Sequence, residues 1–187
     1  MIEGAKSPIS LGSQDCSEHD LGYFTSQICA KSLFEIGCRY GIVGHHETRL
    51  AYGLSEQNIL AKSKMALKEG LTPIICLGAN LRDFQSQIEC YFDLSRKNKE
   101  KQIIFACEPV LEIGSSKSAE LEVIKTITTQ IRHLLGKYSN KISILYGGNV
   151  NSQNIVKIWE LGSLDGFLIS KAGLNFQEVK KMIESLS

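Results

Sequence analysis

Six short apolar runs, at residues 9–14, 40–44, 73–78, 103–107, 142–146 and 167–170, punctuate the chain at intervals of about 30 residues, the length of a βαβ unit. Each run has strand length, and each gap leaves room for an amphipathic helix that crosses back over the sheet. Crossovers of this kind oblige neighbouring strands to run parallel. The spacing therefore predicts an α/β protein with a six-stranded parallel sheet. Within one gap Leu121, Ile124, Ile127, Ile131 and Leu134 recur three or four apart, with Lys125, Thr128, Gln130 and Arg132 around them, which predicts a helix packed by one face. Asn175 with Glu178 three positions on predicts a capping box that opens a last helix, with Val179 and Ile183 turned inward. There is no linker or low-complexity stretch, so a single domain over residues 1–187 is expected.

Composition excludes several classes of function. With 43% hydrophobic residues the 187-residue chain can bury a sizeable core. Its 21 basic and 20 acidic residues are interspersed and leave a formal net charge of +1, so there is no basic stripe for a nucleic acid or a membrane surface. Any anion site must be local. Six cysteines, Cys16, Cys29, Cys38, Cys76, Cys90 and Cys107, form no CxxC pair and have no metal-ligand spacing, which reads as reduced, buried thiols. No run approaches the roughly 18 apolar residues of a membrane span, and Met1-Ile2-Glu3-Gly4 does not open a signal peptide. A cytoplasmic protein is expected.

Chemistry-bearing residues sit at the ends of the runs. Glu108 closes the fourth, directly before Pro109, which biases it towards extended backbone, and before a loop with one Gly and three Ser. That is the layout of a catalytic base beside a closing lid. By itself such a Glu more often pairs with a surface Lys. His45 and His46 follow Gly44 at the end of the second run; if the strand continues, their side chains point to opposite sides and one faces a substrate. Gly147-Gly148-Asn149-Val150 joins the fifth run to the next helical stretch, and backbone N–H groups at such a turn and helix start can hold an anion.

Together, IIFACEPVLEIGSSKSA (103–119), YGIVGHHETR (40–49) and ILYGGNV (144–150) resemble, in order, the catalytic-glutamate strand and lid, the catalytic-histidine segment and the phosphate-binding turn of the triosephosphate isomerase family. PIICLG (73–78) and DGFLISKAGL (165–174) are similar to two further strands of that family, and the likeness runs from about residue 7 to the C-terminus. The resemblance implies a (β/α)8 TIM barrel whose active site lies at the C-terminal ends of the strands. Such a barrel has about 250 residues, so the expectation is an incomplete one of about six βα units, from strand three to helix eight. It implies an isomerase of glycolysis and gluconeogenesis that interconverts dihydroxyacetone phosphate and D-glyceraldehyde 3-phosphate through an enediolate, with no cofactor and no metal. By resemblance Glu108 is the base, His45 the electrophile and Glu47 a supporting acid, while Gly114, Gly147, Gly148, Asn149, Ser170 and Lys171 hold the substrate phosphate. His46 stands where the family has Ser, and Ser170-Lys171 where it has Gly-Gly. The loop of residues 15–27, from Asp15 to Gln27, resembles the loop that enters a partner subunit, which implies a homodimer. Nothing before Pro8 matches the family's Asn-x-Lys strand, so a chain inactive and loosely folded by itself is expected. The alternative is a non-catalytic relic that binds phosphate or a partner.

Overall fold

The computed structural model describes residues 9–79, 81–97, 102–109, 120–136 and 142–186. Its strands are β1 (Leu11–Ser13), β2 (Cys38–Val43), β3 (Thr72–Ala79), β4 (Ile104–Pro109), β5 (Ser143–Tyr146) and β6 (Gly166–Phe167). All neighbours run parallel and the spatial order is the sequence order. A sheet wound in one direction keeps its crossover helices on one face and curls on the other. These six strands form a curled half-barrel, the incomplete barrel expected.

The helices are α1 (Ala30–Glu35), α2 (His46–Tyr52), α3 (Glu56–Lys68), α4 (Leu81–Lys97), α5 (Leu121–Leu135), α6 (Ile155–Trp159) and α7 (Phe176–Leu186). β3 and β4 carry the core: Ile75, Cys76, Leu77, Phe105, Ala106 and Cys107 are all buried, as parallel strands covered on both faces must be. α3 starts at Ser55, whose hydroxyl accepts the Asn58 N–H while the Asn58 side chain accepts the Ser55 N–H, a reciprocal cap. Among the described residues no helix is long and apolar enough to cross a membrane.

Several expectations shift by a residue or two. The first run pairs only over Leu11–Ser13, and the last pairs at Gly166–Phe167 before the chain winds into a 3-10 turn, Lys171–Leu174. In α5 the buried row is Ile124, Ile127, Thr128, Ile131 and Leu135, while Leu121 is exposed and Leu134 only partly covered. Thr128 enters this apolar row because its hydroxyl is satisfied by the Ile124 carbonyl at 2.9 Å and by Ser163 Oγ at 2.6 Å. α7 is capped from one side only: Asn175 Oδ1 accepts the Gln177 and Glu178 N–H groups, but the Glu178 carboxylate reaches away to the Ser152 N–H at 2.7 Å. Met182 is the buried residue there, and Ile183 is exposed.

Candidate active site

Register places the site. Glu108 pairs with Gly78 at the C-terminal end of the β3–β4 ladder, and the β2 strand ends beside it at Val43. Gly44 then takes φ +72°, and a Cβ there would lie 2.9 Å from Ile59 Cδ1, so a side chain is refused on both backbone and packing grounds. This turn makes His45 the N-cap of α2 and His46 its first residue. The expected divergence of the two imidazoles is therefore overturned: alternation holds along a strand, and the chain has left the strand before His45. Both rings converge on Glu108, with centroids 4.3 Å apart. His45 Nε2 stands 3.3 Å from Glu108 Oε1, and His46 Nδ1 stands 3.2 Å from Glu108 Oε2.

The cap fixes a tautomer. His45 Nδ1 accepts the Glu47 N–H at 3.4 Å, which leaves the proton of a neutral ring on Nε2, the atom that faces Glu108. Glu47 is otherwise exposed, with Oε2 at 3.8 Å from the same Nδ1. Glu108 is 4% exposed, and among the described residues its Oε1 accepts no hydrogen bond. Beneath it, burial first, then the charge of Glu108 and a hydrogen bond with it, push the Cys76 thiol well above its usual range. Burial, with a smaller part from the same carboxylate, pushes Cys107 up to about 12. Gly147 abuts the base on the other side: a Cβ there would stand 2.9 Å from Glu108 Cγ.

A polar brace holds this arrangement from below. Arg49 donates to the Gly44 carbonyl at 2.6 Å, to the Cys76 carbonyl at 2.9 Å and to Glu56 Oε1 at 2.5 Å. It thus ties the histidine turn to β3. Gln87 donates to Glu56 Oε1 at 3.1 Å and to the Gly78 carbonyl at 3.3 Å, and the Tyr91 phenol donates to Glu56 Oε2. Burial works against the Arg49 charge, but the hydrogen bond and charge of Glu56 outweigh it and hold the guanidinium above its ordinary value. Burial, then Glu56, drives the Tyr91 phenol well up. Sequence reasoning matched Arg49 by motif and missed Glu56, Gln87, Tyr91 and Cys76; the only signal was a carboxylate at the first position of a well-capped helix, seven residues past Arg49.

The expected phosphate residues are gathered less completely. In the turn after β5, the Gly147 N–H goes to the Cys107 carbonyl and the Val150 N–H to the Gly148 carbonyl, each at 2.9 Å. Gly148 is required by contact with the Tyr146 phenol, which a Cβ would strike. α6 begins only at Ile155, past a turn at residues 152–154, so its N-terminus does not open directly on the glycines as expected. The Asn149 carbonyl is held by the Asn154 amide at 2.8 Å. Ser170 and Lys171 are exposed, and the Ser170 carbonyl accepts the Gly173 N–H. Their loop follows β6, the strand beside β5, so both loops leave the same end of the sheet. Gly114 and the lid at 110–119 lie outside the described residues.

Two imidazoles and a buried carboxylate thus gather at the C-terminal ends of a singly wound parallel sheet, the end at which barrel enzymes carry their active sites. A family model described as triosephosphate isomerase matches residues 1–186, and the chain belongs to that family of isomerases. It is 32% identical over 196 residues to the triosephosphate isomerase of Vibrio sp. (strain ANT-300), an alignment spanning 98% of this chain and 78% of that one. It is 32% identical over 192 residues to that of Nocardia farcinica (95% and 74%) and 33% identical over 182 residues to that of Bordetella pertussis (92% and 73%).

Proposed function

We propose that the chain interconverts dihydroxyacetone phosphate and D-glyceraldehyde 3-phosphate in the cytoplasm, with Glu108 as the base and His45 as the electrophile. The observation that carries this reading is the buried Glu108 carboxylate with His45 Nε2 at 3.3 Å from its Oε1, while His45 Nδ1 accepts the Glu47 N–H. Glu108 removes a proton from the carbon beside the substrate carbonyl and returns it to the neighbouring carbon. His45 donates from Nε2 to the carbonyl oxygen, where charge develops as the enediolate forms, and that donation is worth most in a site shielded from water. Gly147, Gly148, Asn149, Ser170, Lys171 and Gly114 are the residues proposed to surround the phosphate. A homodimer is proposed through the loop of residues 15–27. That loop is anchored to its own α3 by a Lys62–Asp15 ion pair at 2.7 Å, and it presents exposed Leu21, Tyr23 and Phe24.

A second reading, a non-catalytic phosphate-binding relic, is favoured by the Gly147 N–H being committed to the Cys107 carbonyl and by the exposed Lys171 in place of a glycine. Turnover decides between them, measured on the chain as it stands and after fusion of an Asn-x-Lys strand segment from a family member. Glu108→Asp should lower kcat at least about 100-fold, because a base moved by roughly 1 Å loses its approach to the carbon. His45→Ala should fall much further than His46→Ala. No turnover in either protein, with a phosphate analogue still bound, selects the relic.

A further inference from the structure

His46 is the residue the proposed reaction does not use, yet it doubles the imidazoles on a single buried carboxylate. We propose that His45, His46 and Glu108 bind one divalent transition-metal ion of the zinc class, and that the occupied site is an inhibited state of the enzyme. Two imidazoles and one carboxylate are the three-ligand set that holds such an ion while leaving a coordination position open. The three donor atoms lie within 4.8 Å of one another. Ligands bound at about 2.1 Å in a tetrahedron stand about 3.4 Å apart. His45 Nε2 stands 3.3 Å from Glu108 Oε1 and His46 Nδ1 3.2 Å from Oε2 of the same carboxylate, so each imidazole already lies at about the needed separation from one of its oxygens.

The surroundings complete the chemistry. Oε1 of Glu108 is buried without a hydrogen bond among the described residues, an unsatisfied acceptor that a cation would satisfy. Arg49 does not compete, being committed to the Gly44 and Cys76 carbonyls and to Glu56. Ligation through His45 Nε2 moves the ring proton to Nδ1, which gives up the Glu47 N–H cap and turns to Glu47 Oε2, 3.8 Å away, as the outer carboxylate on a metal-bound imidazole. A bound ion occupies the lone pairs with which Glu108 takes a proton and displaces the proton that His45 donates. The inhibition rests on Glu108 and His45 being the acid–base pair proposed above; the binding does not.

The test is titration of the metal-stripped full chain with Co2+, followed by visible absorption. One equivalent should bind, with d–d bands of a low-coordinate nitrogen and oxygen site, and Mg2+ should not displace it. His46→Ser should weaken binding at least about tenfold, the loss seen for even an outer partner. Equal affinity in that variant, no saturable binding, or strong thiolate-to-cobalt absorption would each overturn the site. If His46→Ser does not fold by circular dichroism, zinc-edge X-ray absorption of the wild-type chain counts the imidazole and sulfur ligands without a variant. In the turnover assay Zn2+ should reduce the rate more than tenfold and a chelator should restore it. Stoichiometric binding with an unchanged rate would overturn the inhibition, whereas absent turnover before metal addition would count against the isomerase reading and leave the titration to decide the site.

Discussion

At the level of single residues, the site depends on where a glycine lets the Glu108 carboxylate lie. Gly147 was legible as part of a Gly-Gly turn; that its N–H is held by the Cys107 carbonyl and that an added Cβ would face Glu108 was not. Gly147→Ala would place a Cβ 2.9 Å from Glu108 Cγ, so the carboxylate must move by several tenths of an ångström. The expected result is kcat lowered about tenfold or more with KM little changed, and a stability loss of about 1–3 kcal/mol from overpacking. Steady-state kinetics and urea unfolding measure the two, and an unaltered kcat would mean that Glu108 is not held by this contact. The paired histidines teach a related lesson. Their identity was visible in the sequence, but their convergence was not, because the period of two that separates neighbours ends where Gly44 turns the chain into α2.

Among elements, the crossover rhythm was the most readable property and the interior polar brace the least. Apolar runs report burial, so all six strands and the helices α5 and α7 could be located; hydrogen bonds between distant side chains leave no periodic trace. Thr128 shows the limit within one helix: counted as polar in sequence, it is buried because Ser163, 35 residues away, completes it. The Arg49–Glu56 pair similarly links the start of α3 to the turn before α2 and to the Cys76 carbonyl. Its side chains are 16% and 30% exposed, so the pair should be worth more than a surface bridge and less than a buried one. A double-mutant cycle of Arg49→Met and Glu56→Gln should give a coupling of at least about 1 kcal/mol. Each single change should also lower kcat, because the histidine turn loses its tie to β3. Coupling near zero would show that the brace is incidental.

For the molecule as a whole, the curl of six parallel strands leaves β1 and β6 as its edges among the described residues, with Ile9, Leu11, Leu174 and Phe176 exposed. The six-stranded parallel sheet was legible from strand count and spacing and the incomplete barrel from the family resemblance, whereas the distribution of buried thiols was foreseen only as a class. Cys16 is the buried thiol within the 15–27 loop, donating to the Lys62 carbonyl of α3, and Cys76 and Cys107 lie under the site. Burial raises Cys16 and Cys107 from 9.0 to about 12, and Cys76 well above 9.0. Since the folded thiols keep their protons to higher pH than unfolded ones, unfolding releases protons above pH 9, and stability present below that pH falls as pH rises towards 12. From pH 9 to 10 Cys16 and Cys107 should each cost about 1 kcal/mol, about 2 kcal/mol together, with Cys76 acting in the same direction. Urea midpoints should therefore be level between pH 7 and 8 and drop steeply by pH 10. Replacing Cys16, Cys76 and Cys107 with Ala should flatten the alkaline limb even though it lowers stability at neutral pH. An equally steep limb in the triple variant would assign the alkaline loss to other groups, Tyr91 first among them.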